Sequence, residues 1–216
     1  MREVGRLHVL TDTALQSRFT HPEIAEMAIR GGADVIQFRE KAASTREQIV
    51  VVRRLVELAR RSGAKLIVND RIDVAIAADA HGVHLGHDDF PLTLAREWLG
   101  PDRVIGASVR SLEEARQAAQ AGADYLGAGP VRATASKADA GPVIALEELR
   151  SMVGAVEIPI IAIGGIDADS VAEIMHAGVH GIAVIRAVSH ADDPAAATAG
   201  LRAIMEQVLK ERRYPW

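Results

Sequence analysis

The stretch Gly31-Gly32-Ala33-Asp34-Val35-Ile36-Gln37-Phe38-Arg39-Glu40-Lys41 decides how this chain folds. It opens on two glycines, passes through a short apolar run and ends in a cluster of charge. Glycine just past a helix takes the left-handed conformation that ends it. The same helix–glycine–strand signature returns at Ala121-Gly122-Ala123-Asp124 and at Ala177-Gly178-Val179-His180. Within the strand, side chains alternate faces. Gln37, Arg39 and Lys41 therefore share one side, and Ile36 and Phe38 the other. A long amide and two cations opposite an apolar face are costly to bury without an anion. They point to a phosphate or diphosphate at the strand's end; the alternative is a solvent-facing edge strand with hydrated cations.

Working outward, eight short runs rich in Val and Ile read as strands: Leu7–Thr11, Asp34–Phe38, Lys65–Val68, Gly82–Leu85, Val104–Gly106, Tyr125–Gly127, Ile160–Ile163 and Gly181–Ile185. They are nearly continuous in apolar character, as strands buried on both faces should be. Helical patterns fall between and after them, near His21–Arg30, Thr45–Arg61, Asp73–Ala78, Pro91–Leu99, Leu112–Gln120, Leu146–Val153, Asp169–His176 and Pro194–Lys210. Eight β-then-α units predict an α/β fold, a (β/α)8 TIM barrel, with residues 1–216 as one domain; a doubly wound open sheet is the runner-up. No linker rich in Pro, Gly or Ser divides the chain.

Composition narrows the function. A formal net charge of -4 disfavours a nucleic-acid surface, and 3% aromatic residues disfavour a stacking platform for single strands. The absence of cysteine removes disulfides, thiolate catalysis and cysteine-ligated metals. No window approaches a membrane-spanning run, and Met1-Arg2-Glu3-Val4-Gly5-Arg6 lacks the apolar core of a signal peptide, so a soluble cytoplasmic protein is expected. The oligomeric state stays open, a homo-oligomer included.

In such barrels the active site lies at the carboxyl ends of the strands. Asn69-Asp70-Arg71 follows the third strand and Gly86-His87-Asp88-Asp89 the fourth. Two acidic loops on neighbouring strands suit a hard cation such as magnesium, which takes one or two carboxylates plus substrate phosphates and water. The same aspartates could instead cap the following helices. His81, His84 and His87 are spaced three apart on a strand and its loop, which turns neighbours to opposite sides and tells against zinc. Ser108 after the fifth strand offers a hydroxyl to a phosphate, and Ser111 with Glu114 fits a capping box for the next helix. The long connection from Gly129 to Pro142 carries Arg132, Thr134, Ser136 and Lys137, a set suited to wrapping an anion. Gly164-Gly165, before a helix expected near Asp167, offers backbone amides to a phosphate. Arg186, after the last strand, either adds a cation there or pairs with a surface carboxylate.

Taken together, these motifs resemble the thiamine-phosphate synthase family over nearly the whole chain, from Leu10-Thr11-Asp12 to Gly181-Ile182-Ala183-Val184. The pieces that carry the resemblance are Gln37-Phe38-Arg39-Glu40-Lys41, Asn69-Asp70-Arg71, Gly82-Val83-His84-Leu85-Gly86, Thr134-Ala135-Ser136-Lys137-Ala138-Asp139-Ala140 and Ala162-Ile163-Gly164-Gly165-Ile166. The resemblance implies a transferase that joins a pyrimidine methyl diphosphate to a thiazole phosphate with Mg2+, releasing diphosphate. It implies that Gln37, Arg39, Lys41, Asn69, Ser108 and Lys137 hold the pyrimidine and its diphosphate. Phe38 and Glu40 are included in this substrate-binding stretch, and Arg39, Lys41, Ser108 and Lys137 carry the catalysis. Asp70 and Asp89 would hold magnesium, with Asp88 the rival of Asp89. Thr134, Ser136, Gly165 and backbone near Ile185 and Arg186 would hold the thiazole phosphate. Three arginines depart from the family's pattern: Arg132 replaces an aromatic residue, Arg110 a frequent histidine and Arg186 a small serine. A thiazole tautomerase-like isomerase, which generally carries a histidine where this chain has Gly129-Pro130, is one alternative. The others are a non-catalytic binder of thiamine-precursor phosphates and a sugar-phosphate barrel enzyme.

Overall fold

The computed structural model describes residues 4–136 and 141–213 of the 216. Eight parallel strands form a closed barrel in sequence order: β1 (Leu7–Thr11), β2 (Val35–Phe38), β3 (Lys65–Asn69), β4 (Gly82–Leu85), β5 (Val104–Val109), β6 (Tyr125–Ala128), β7 (Ile160–Ile163) and β8 (Gly181–Val184). Closure is made by β1, which pairs with β2 on one side and β8 on the other. The open doubly wound sheet is thereby excluded. Helices α1 (His21–Arg30), α2 (Thr45–Ser62), α3 (Ile72–Ala77), α4 (Leu92–Leu99), α5 (Leu112–Gln120), α6 (Leu146–Ala155), α7 (Val171–His176), α8 (Arg186–Ser189) and α9 (Pro194–Arg213) complete the chain.

Two apolar layers follow from the alternation of strand side chains. The outward positions, among them Val9, Ile36, Phe38, Leu66, Val68 and Leu85, pack against helix residues such as Ile24, Val52, Leu55 and Leu149. The inward positions, Leu10, Val35, Ile67, Val104, Tyr125, Ile161 and Ala183, fill the barrel itself with Val4. The glycine repeat does what its sequence predicts. Gly32, Gly122 and Gly178 stand at φ 93°, 94° and 99°, each turning a helix into the next strand. The residue that follows two places later then ties a strand's start. Asp34 accepts the amides of Arg6 and Leu7 at 2.8 and 2.9 Å, and Asp124 accepts that of Ile105 at 2.7 Å.

Several boundaries differ from the sequence expectation. β5 continues to Val109, so Ser108 lies within the strand. The four-residue α8 begins where β8 was expected to end, and Ile185 becomes its N-cap. The helix expected near Asp167 starts at Val171; Asp167 and Ser170 instead bond each other in a turn, Ser170 N–H donating to Oδ1 at 3.0 Å. No described helix is long and apolar enough to cross a membrane.

Candidate active site

A cavity of about 560 Å³ opens at the carboxyl ends of the strands. Its walls bring together most of the residues singled out in the sequence: Gln37, Arg39, Lys41, Asn69, Asp70, Asp89, Ser108, Thr134, Ser136, Gly165, Ile185 and Arg186. Gln37 reaches it as an inward position of β2. Arg39 and Lys41 reach it beyond the strand because the ladder persists for one more bond, from Arg39 N–H to Thr11 O at 3.0 Å. The alternation therefore runs past the last strand residue.

That alternation also corrects two assignments. Phe38 faces outward, is 2% exposed, and packs at a tilt against His21 with ring centroids 4.6 Å apart. Glu40 turns the same way and accepts from Thr13 Oγ1 at 3.0 Å, from His21 at 3.3 Å and from Ala42 N–H at 2.7 Å. Neither lines the cavity; both belong to the packing behind it. Burial pushes the Glu40 carboxyl up, but donors from Ala42, His21, Thr13 and Ala43 outweigh it and hold the group at about 2. Burial lowers His21 against the pull of Glu40. Lys137 lies outside the described residues.

Arg39 and Lys41 each have a carboxylate partner. Arg39 is paired with the buried Asp12, whose carboxylate also accepts the amides of Ala14 and Leu15. Lys41 is paired with Asp70. Asp70 sits at φ 63°, in the left-handed region that aspartate tolerates better than most residues, and its own amide donates to His84 O at 2.8 Å. Asp89 Oδ2 accepts Gly86 N–H at 2.7 Å. Burial and then the adjoining Asp70 carboxylate push the Asp89 carboxyl above its ordinary range, with Gly86 and Lys41 opposing. A carboxyl whose proton affinity is raised by a neighbouring carboxylate, as that of Asp89 is by Asp70, is what a hard cation would relieve. Neither Asp70 nor the Asp88–Asp89 pair serves as a helix cap: the N-caps of α3 and α4 are Arg71 and Pro91, without a side-chain bond. Among the described residues no group of three or more His, Asp or Glu side chains gathers as a complete metal cage. Asp88 lies exposed at the same rim.

The opposite wall is built from backbone. Gly164 and Gly165 stand at φ 99° and 67°. A Cβ on Gly165 would lie 2.5 Å from Ala133 O, and one on Gly164 2.7 Å from Pro130 Cα, so only glycine fits both the turn and the loop against it. That loop is docked by Val131 and Arg132, whose amides donate to Ile163 O and Gly164 O, each at 3.0 Å. Thr134, Ala135 and Ser136 are thereby held over the cavity. Arg132 itself turns to Glu173 and does not line it. Arg186 is exposed at the rim rather than filling the space, and Arg110 lines the cavity beside Gly141.

Other sequence features resolve separately. His81 Nδ1 accepts Leu66 N–H at 3.1 Å, His87 meets Glu114 at 2.7 Å, and His84 faces the barrel interior, so the three histidines diverge. The Ser111–Glu114 capping box is half made. Ser111 Oγ accepts Glu114 N–H at 3.2 Å, but the Glu114 carboxylate goes to Arg110 N–H and His87. The cavity also takes in His84, which the sequence did not single out for this site.

A closed parallel barrel that gathers cations, adjoining carboxylates and a glycine turn at its carboxyl mouth has the layout of a (β/α)8-barrel enzyme. The family model described as thiamine monophosphate synthase matches residues 7–188. A thiamine-phosphate synthase of Chloroflexus aurantiacus is 51% identical over 93% of this chain and 92% of the relative. One of Pyrococcus horikoshii is 49% identical over 96% and 98%. The solved thiamine phosphate pyrophosphorylase of Pyrococcus furiosus superposes with a TM-score of 0.87 at 48% identity, over 94% of this chain and 96% of that one. The chain belongs to the thiamine monophosphate synthase family, and with it to the transferases of thiamine biosynthesis.

Proposed function

We propose that this enzyme condenses 4-amino-2-methyl-5-(diphosphooxymethyl)pyrimidine with thiazole phosphate, releasing diphosphate. The observation that carries the reading is the single cavity in which Arg39 and Lys41 on one wall face the Gly164-Gly165 turn and the Thr134–Ser136 loop on the other. Two anionic substrates need two anion sites, and the walls supply them separately. Arg39, Lys41 and Asn69 bind the diphosphate; Gly165, Thr134, Ser136 and the start of α8 at Ile185 and Arg186 bind the thiazole phosphate. Gln37 and Ser108 reach the pyrimidine ring between them.

The thiazole nitrogen brings its own lone pair, so the protein need supply neither a nucleophile nor a base. As the bond to the leaving oxygen breaks, the pyrimidine methylene turns cationic and the diphosphate gains charge. Fixed cations in a partly enclosed site stabilise that charge at little reorganisation cost. Asp70 and Asp89 fit a magnesium ion: both are hard oxygen donors, they adjoin, and a pair of carboxylates leaves coordination positions for phosphate oxygens and water. When bound, such an ion supplies further positive charge to the departing group. The test is direct. Purified protein given both substrates and magnesium is expected to release diphosphate and form thiamine phosphate. A folded preparation that does neither, beside an active relative, refutes the reading.

A further inference from the structure

From the cavity floor three polar side chains form a chain down into the barrel interior. Tyr125 Oη lies 2.9 Å from Nδ1 of His84, and Nε2 of His84 lies 3.1 Å from Ser108 Oγ, which faces the cavity. The strands are built to admit these rings. Register places His84 beside Gly106, Gly106 beside Tyr125, and Ser108 beside Gly127. A Cβ on Gly106 would fall 2.1 Å from Cζ of Tyr125 and 2.5 Å from Nδ1 of His84. One on Gly127 would fall 2.7 Å from Cε1 of His84. The two glycines thus yield the volume that the two rings fill, and the rings have one orientation to occupy.

Hydrogen-bond accounting then sets direction. Among the described residues, the Tyr125 hydroxyl has one hydrogen-bond partner, His84 Nδ1, and Ser108 Oγ has one, His84 Nε2. If Nδ1 carried a proton, the phenol would have to accept it and leave its own O–H buried without an acceptor, at a cost of about 1–3 kcal/mol. An imidazolium incurs the same loss and adds a buried charge. The arrangement that satisfies every group has Tyr125 donating to a bare Nδ1 and Nε2–H donating to Ser108 Oγ. Burial raises the Tyr125 phenol far above its ordinary range, so it keeps the proton it donates. The other ring beside Tyr125 is His8, at 5.3 Å between centroids. Its Nε2 is bonded to Gly5 O and burial pushes it down to about 4, so it brings no charge to the array.

We propose that Tyr125 and His84 are positioning residues that turn the Ser108 proton into the cavity: His84 Nε2–H fills one of the serine's two lone pairs and offers its hydroxyl no acceptor, so the serine proton finds its acceptor on the ligand. Resting on the reading above, that acceptor is a ring nitrogen of the aminopyrimidine. The relay favours ligands that offer a lone pair to the floor, because only these satisfy the Ser108 proton.

The test has two arms. In ligand-free wild-type protein labelled with 15N-histidine, long-range proton–nitrogen spectra at neutral pH should show His84 as the neutral tautomer protonated at Nε2, the resonance being identified by its loss in His84→Gln. A tautomer protonated at Nδ1, or an imidazolium, overturns the proposal, and this arm is independent of whether the enzyme turns over the proposed substrates. In the second arm, Ser108→Ala should lower kcat/KM by about ten-fold, the scale of one lost hydrogen bond. Tyr125→Phe should lower it by several-fold and mix the two His84 tautomers. The double variant should match Ser108→Ala within a factor of two, because Tyr125 acts only through Ser108. Losses that multiply would show Tyr125 acting by packing alone and would overturn the relay.

Discussion

Arg39 and Lys41 look alike in sequence, yet removing them should have different consequences for folding. The Arg39 side chain is 18% exposed and its partner Asp12 3% exposed, whereas Lys41 is 57% exposed. Arg39→Ala leaves a buried carboxylate whose other donors are the amides of Ala14 at 2.9 Å and Leu15 at 3.3 Å. Breaking a buried pair typically costs 3–5 kcal/mol, and because two amides stay, about 3 kcal/mol is expected here. For a chain of 216 residues that corresponds to a fall in melting temperature of about 6–12 °C. Lys41→Ala breaks a solvent-screened pair and should cost below about 1 kcal/mol. Both variants should lose about 10²–10³-fold in diphosphate release, by analogy with the loss of a single charge-stabilising donor. Thermal denaturation of the two variants beside wild type measures the difference. Adding Asp12→Asn to Arg39→Ala should recover most of the lost stability by removing the stranded charge. Equal melting temperatures for Arg39→Ala and Lys41→Ala, or no recovery in the double variant, would refute this account of the Asp12 pair.

Further tests bear on the metal residues, the barrel interior and acid stability. Asp89→Asn should weaken the magnesium dependence of turnover and reduce the magnesium-induced rise in melting temperature; an unchanged metal response would move the role to Asp88. Gly106→Ala forces a methyl group against Tyr125 and His84, and overpacking of this kind costs about 1–3 kcal/mol, read as a lower urea midpoint with unchanged slope. Glu40 is held near 2 in the folded chain, below its ordinary 4.5, so the stability it contributes is present above pH about 4.5 and is lost as pH falls toward 2. Urea titrations across that window should show Glu40→Gln with a flatter pH dependence than wild type, and a parallel slope would count against the Glu40 network.

Most of the barrel was legible because strands buried on both faces advertise themselves as Val- and Ile-rich runs, and because Gly32, Gly122 and Gly178 mark where helices stop. The mouth was legible to the extent that period two can be carried past a strand's end: Gln37, Arg39 and Lys41 converge as their spacing requires. The same rule excludes Phe38 and Glu40, which contiguity with the motif had drawn in. Short α8 escaped notice because four residues with no side-chain cap leave no periodic signature. The His84–Tyr125 pair was hidden for a different reason. Its partners come from three strands, and only the register between them shows that two glycines stand where two rings must go. Sequence supplies each strand's pattern but not its alignment to the next.

The seam between β1 and β8 carries a consequence for synthesis. Residues 7–9 must wait for residues 182–184 before their ladder is complete. Until then a chain emerging from the ribosome shows two unpaired strand edges, one at each end of an incomplete sheet, and bare edges invite pairing with other chains. Joining β1 to β8 removes both hazards together, and the interval before it is when this protein most needs shelter.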